Sequence, residues 1–146
     1  MDTNRIKDAC HNALANRAYA PHDGITYCNV AVHHILTDLG YDQFAWDAVN
    51  KRPMMANEIA DKAANSLPEL NATDAAGLAL DGAVVIACLK EPFHGHVAIV
   101  YPFASMVHSG KWNADVPVVA NIGKDVGVMG VNYAFGAMPK FYKVGM

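Results

Sequence analysis

The chain has 146 residues, of which 53% are hydrophobic and 17% charged, and its formal net charge is −3. That composition predicts one compact domain over residues 1–146 with a substantial core. The acidic balance excludes a sequence-independent nucleic-acid binder, which needs a basic surface. No apolar run reaches the roughly 18 residues of a membrane span. The opening residues Met1-Asp2-Thr3-Asn4-Arg5 lack the apolar centre of a signal peptide, so synthesis in the cytoplasm is expected. Cys10, Cys28 and Cys88 are odd in number and form no CxxC pair, which predicts free thiols rather than a disulfide framework.

Residues 3–18 read as a first helix, with Ile6, Cys10, Ala13, Leu14 and Ala18 at helical spacing and Asp2 or Thr3 as cap. A loop follows over 19–25, marked by Pro21 and Asp23-Gly24. Residues 26–40 read as a second helix, capped by Thr26 and ended by Gly40. In it, Cys28, Ala31, Val32, Ile35 and Leu39 make one apolar face. Cys28 falls in the first turn, where the positive end of the helix dipole favours a thiolate. The plainer reading is a buried, space-filling cysteine. Tyr41, Phe44 and Trp46 then form an irregular aromatic stretch, either a groove wall or a lid over the core. Residues 55–66 read as a third helix stopped by Pro68, and 67–80 as a mixed connection with a helical turn at 73–78.

After Asp81-Gly82 the pattern changes to strands. Residues 83–89 are a continuous apolar run, expected to be buried on both faces. Residues 95–101 form its hairpin partner, and three more strands are expected at 116–122, 127–132 and 139–144. Helices first and strands after predict an α+β fold with an antiparallel sheet of about five strands.

A nucleophilic cysteine needs a base, and histidine suits neutral pH. Seven histidines are present. His33 and His34 lie too far down the helix of Cys28 to reach its sulfur. His94 and His96 share a strand face, and His96, at the start of a rigid strand behind Gly95, is the preferred base. A base also needs an orienting partner, and Asn121 ends a strand that belongs beside that of His96. A turn-forming asparagine before Ile122-Gly123 is the competing reading. Tyr19, Tyr27 and Asn29 are substrate-binding candidates around Cys28, the two tyrosines alternatively packing with their hydroxyls to solvent.

Together, Thr26-Tyr27-Cys28-Asn29, Gly95-His96-Val97-Ala98-Ile99-Val100 and Asn121-Ile122-Gly123 resemble the papain-like cell-wall amidases. These are the NlpC-type and CHAP cysteine peptidases, which include phage lysins and type VI secretion amidase effectors. The resemblance runs from about Cys10 to the end of the chain. It implies a papain-like fold with the helix of the nucleophile packed on the antiparallel sheet. It further implies Cys28 as nucleophile, His96 as general base and acid, Asn121 as third polar residue, and an oxyanion site at the Cys28 backbone N–H. The substrate implied is a peptidoglycan stem peptide, cleaved through a thioester by a monomer without metal or cofactor. Action in the periplasm or cell wall would then require export, injection or lysis, and an effector would require an immunity protein. The NlpC-type pattern reads Asp-Cys-Ser-Gly where this chain has Tyr-Cys-Asn-Val, which leaves the cleaved bond open.

Three other readings compete. A metal-binding protein could use His94 and His96 with Cys28 or His33. A cysteine peptidase could act on a protein substrate with the same dyad. A catalytically silent wall-binding module would not need both Cys28 and His96.

Overall fold

The computed structural model describes every residue except Ala45, Trp46, Ala48, Ala104 and Met146. The helices are α1 (Thr3–Leu14), α2 (Cys28–Asp38), α3 (Ala56–Ser66), α4 (Ala72–Leu80) and the short α5 (Val131–Ala134). The strands are β1 (Glu69–Leu70), β2 (Val84–Leu89), β3 (His96–Val100), β4 (Val107–Ser109), β5 (Ala114–Val116), β6 (Val118–Ile122), β7 (Val126–Gly130) and β8 (Lys140–Gly145). The architecture is mixed α+β: a six-stranded antiparallel sheet in the order β1-β8-β2-β3-β6-β7, and a separate β4-β5 ribbon.

Burial on both faces explains the apolar run of β2. Val84, Ile86 and Cys88 point to one side, with Val97, Ile99, Ala120, Ile122 and Tyr142, and pack under α1, α2 and α3. Val85 and Ala87 point to the other, with Ala98, Val100, Val119 and Phe141, and pack against Ala75 and Ala79 of α4 and Val131 and Phe135 around α5. Side chains alternate along a strand, so a sheet covered twice needs apolar residues at consecutive positions. The β2–β3 hairpin pairs Ile86 with Ile99 and Leu89 with His96, and β3 pairs with β6 at Ile99–Ala120 and Val100–Val119. This places His96 at the start of a central strand, with Asn121 on the neighbouring one.

The helix α2 buries Cys28, Ala31, Val32, Ile35 and Leu36, with Leu39 just beyond its end. Gly40 ends it at φ +93°, and the Tyr41 N–H reaches back to the Leu36 carbonyl at 2.8 Å while the Gly40 N–H bonds Thr37 at 3.0 Å. That is the Schellman arrangement, which favours glycine. The Asp23-Gly24 turn has positive φ at both residues, and His22 and Ile25 exchange backbone hydrogen bonds across it, as in a tight hairpin.

Several expectations are corrected. Thr26 does not cap α2; Tyr27 occupies that position and makes no side-chain capping bond. The first helix stops at Leu14 because Asn16 caps a following 3-10 turn by accepting from the Ala18 N–H at 3.0 Å, which leaves Ala18 exposed. The 73–78 turn is a full helix, capped by the Asn71 side chain on the Asp74 N–H. The expected 116–122 strand is divided at Pro117 between β5 and β6, because proline cannot donate to a ladder. Residues 131 and 132, expected at the end of a strand, instead open the short helix α5. Of the two readings of the aromatic stretch, Phe44, 1% exposed, takes the one over the core; Trp46 lies outside the described residues. Among the described residues, no helix is long and apolar enough to cross a membrane.

A Cβ at Gly40 would meet nothing within 4 Å, so the cost of Gly40→Ala is purely conformational. We expect it to lower unfolding free energy by about 1–2 kcal/mol, the cost of a left-handed L-residue, as measured by denaturant unfolding.

Candidate active site

Cys28 is the first residue of α2 and is 6% exposed. The backbone N–H groups of Val97, Asn29 and Cys28 itself face its sulfur and favour the charged form. The sulfur therefore sits on the backbone amide that follows His96. Burial raises the thiol pKa, and the three amides only partly offset this. This corrects the expectation of a dipole-favoured thiolate: desolvation outweighs the helix end.

His96 Nε2 lies 2.5 Å from Asn121 Oδ1. The Asn121 Nδ2 donates to the Asp125 carbonyl at 2.9 Å. A carbonyl can only accept, so this bond fixes the amide with its oxygen toward the imidazole. The neutral ring then carries its proton on Nε2 and its lone pair on Nδ1. Asn121 is 2% exposed, and the His96 ring packs on Phe135 at 4.7 Å between ring centroids. Gly123 closes the far side, where a Cβ would stand 2.9 Å from the His96 Cε1. Burial lowers the His96 pKa, while the Asn121 bond and the Glu91 charge pull it back up. Among the described residues, the Cys28 sulfur makes no hydrogen bond to the His96 ring. Both shifts favour the neutral forms, thiol and imidazole.

Beside Cys28 opens a cleft of about 290 Å³. Thr26, Cys28 and Asn29 line one side, Arg52 and residues 55–58 another, and the loop residues Phe93, His94 and Gly95 a third. Asn29 is thus a cleft residue, and its Nδ2 donates to the Met54 carbonyl at 3.1 Å. Tyr27 is half-buried immediately before Cys28. Tyr19 is not brought to the cleft: its hydroxyl bonds His34 Nδ1 at 2.5 Å on the flank of α2. His96 itself does not line the cleft, whereas His94 does and is exposed. His33 bonds Thr37 Oγ1 at 3.2 Å, within its own helix. Among the described residues, no three His, Cys, Asp or Glu side chains gather as a metal-holding group, so nothing favours the metal reading.

Sequence reasoning missed Arg52, Asn57, Glu58 and Phe93. Arg52 Nη1 bonds Glu58 Oε1 at 2.6 Å, and the same oxygen accepts the Met55 N–H at 3.1 Å. The Lys51-Arg52-Pro53 run closes an irregular stretch of the sequence. Nothing in it indicated that the guanidinium would reach the helix start carrying Glu58.

No protein-family model matches the chain, and no curated protein matches it.

Cys10 and Cys88 are buried at 0% and 3% exposure, and burial pushes both thiols up to about 12. In the native protein, iodoacetamide should therefore label Cys28 first, with Cys10 and Cys88 labelled only after denaturation, as read by peptide mass spectrometry. The labelling rate of Cys28 should climb with pH past the ordinary thiol pKa of 9.0, without a plateau at low pH.

Proposed function

We propose that the protein is a papain-like cysteine amidase that hydrolyses an amide bond in a peptidoglycan stem peptide. The observation that carries this reading is the polarity of the His96–Asn121 pair. Asn121 holds Nε2, which leaves the Nδ1 lone pair to serve a cysteine whose sulfur rests on the next backbone amide. The resemblance of the Tyr-Cys-Asn, Gly-His-Val-Ala-Ile-Val and Asn-Ile-Gly segments to cell-wall amidases supplies the substrate class.

Reaction starts from the neutral pair. Side-chain rotation at Cys28 brings the thiol to the imidazole; catalytic hydrogen bonds of this kind commonly tighten only with substrate bound. The thiol proton passes to Nδ1 as the sulfur attacks the amide carbonyl. The oxyanion that forms takes the Cys28 backbone N–H, a donor at the positive end of α2. Imidazolium then gives its proton to the departing amine, and the C–N bond breaks to leave a thioester. Water, deprotonated by Nδ1, attacks that thioester; the carboxylic acid leaves and the thiol is restored. Asn121 fixes the tautomer throughout.

Isolated sacculi should release new fragments on incubation with the protein, and their masses would identify the bond cut. Cys28→Ala should release none. His96→Ala should lower kcat by about 10²–10⁴, the usual contribution of a general base. Identical fragments from the unaltered chain and Cys28→Ala would sink the proposal.

The acid limb of the rate should report His96 losing its lone pair. Burial places its midpoint below the ordinary value of 6.5. Asn121→Ala removes a bond that favours the charged ring, so the midpoint should move further down. A midpoint above 6.5 in a pH–rate profile would contradict this environment for the base.

A further inference from the structure

Two walls of the cleft are joined by one side chain. Asn57, in the first turn of α3, accepts the Glu91 N–H on Oδ1 at 3.2 Å and donates from Nδ2 to the Glu91 carbonyl at 2.7 Å. Both functions of the amide are spent on one residue of the β2–β3 loop, much as a neighbouring strand would satisfy it. The other end of the loop is pinned as well. A side chain at Gly95 would run into Asn57 Oδ1 and the Leu89 carbonyl, so the backbone lies directly against the clamp. Pro92 restricts the chain between these two points.

At the tip of this braced loop stands Phe93, 90% exposed and lining the cleft beside Cys28. A lone exposed ring is common, but one carried on a braced loop that also lines a cleft is placed to contact a ligand there. His96 is held by its pairing with Leu89 and its bond to Asn121, and the clamp reaches it only through the charge of Glu91. The brace therefore bears on binding more than on proton transfer.

We propose that Phe93 is a platform for an aliphatic group of the peptide next to the scissile amide, and that Asn57 is the positioning residue that holds it over the cleft. The identity of the ligand rests on the amidase reading; the clamp and the exposed ring do not.

The test measures binding of a synthetic alanine-containing stem peptide by calorimetry, with Cys28→Ala as parent so that no turnover intervenes. Phe93→Ala and Asn57→Ala should each weaken binding about tenfold, the size of a modest interface anchor. Asn57 acts through Phe93, so the double variant should bind no more weakly than Phe93→Ala alone. Phe93→Leu should recover part of the loss. Additive losses, undiminished binding in either single variant, or no binding by the parent would overturn the platform. Should Asn57→Ala fail to fold, Asn57→Asp keeps the acceptor for the Glu91 N–H but sets a carboxylate oxygen against the Glu91 carbonyl, and it must still weaken binding. Sacculus digestion by the unaltered chain is scored separately. Digestion with unchanged binding across the variants overturns the platform alone; the expected binding pattern without digestion overturns the amidase reading alone. With Cys28 intact, Asn57→Ala should raise KM and leave kcat near its original value, a split that general loosening of the fold would not produce.

Discussion

The antiparallel pairing of β2, β3 and β6, buried on both faces, is the constraint on which the rest of the molecule depends. It fixes the start of β3 and the end of β6 relative to one another, and so brings His96 and Asn121 to within 2.5 Å although they are 25 residues apart in sequence. A slip of one residue in either pairing would send every alternate side chain to the other face. Apolar residues fill both faces around β2 and β3, so such a slip would carry the polar His96 into a packed layer. The same double covering explains why α2 must lie flat on the sheet, with Cys28 ending its buried stripe above Val97.

Burial also sets the electrostatics of the site. A helix N-terminus favours a thiolate and an asparagine oxygen favours an imidazolium, yet desolvation of both groups prevails. The outcome is a neutral pair, with the sulfur parked on backbone amides. In the proposed reaction, such an arrangement leaves activation of Cys28 to substrate binding. In that proposal, the backbone N–H groups beside the sulfur become available to the developing oxyanion once the sulfur moves. The clamp of Asn57 on Glu91 adds a second layer of order, since it fixes the loop that reaches the cleft without touching the reacting groups.

Much of this arrangement was legible in the chain. Helical spacing around Cys28, the all-apolar run from Ala83 to Leu89 and the glycine stop at Gly40 are local signals with local causes. The choice of His96 over His94 rested on the rigidity of a strand start, and the structure puts His96 against Asn121 and leaves His94 exposed at the rim. Tyr19 was misplaced because sequence proximity to a helix start does not say on which flank a ring will land. The sequence left Phe44 open between a groove wall and a lid over the core, because an aromatic in an irregular stretch looks the same in both, and burial decides for the core. The strand at Glu69–Leu70 was missed because two residues carry no periodicity.

The sequence by itself determined the order of elements, the apolar faces and the residue types suited to nucleophilic chemistry, because each follows from nearest-neighbour spacing along the backbone. Only the tertiary structure decided the direction of the pKa shifts, the tautomer that Asn121 and Asp125 impose on His96, and the Arg52–Glu58 and Asn57–Glu91 contacts that shape the cleft. Those depend on desolvation and on hydrogen bonds between distant segments, and both arise only when the chain has closed around them.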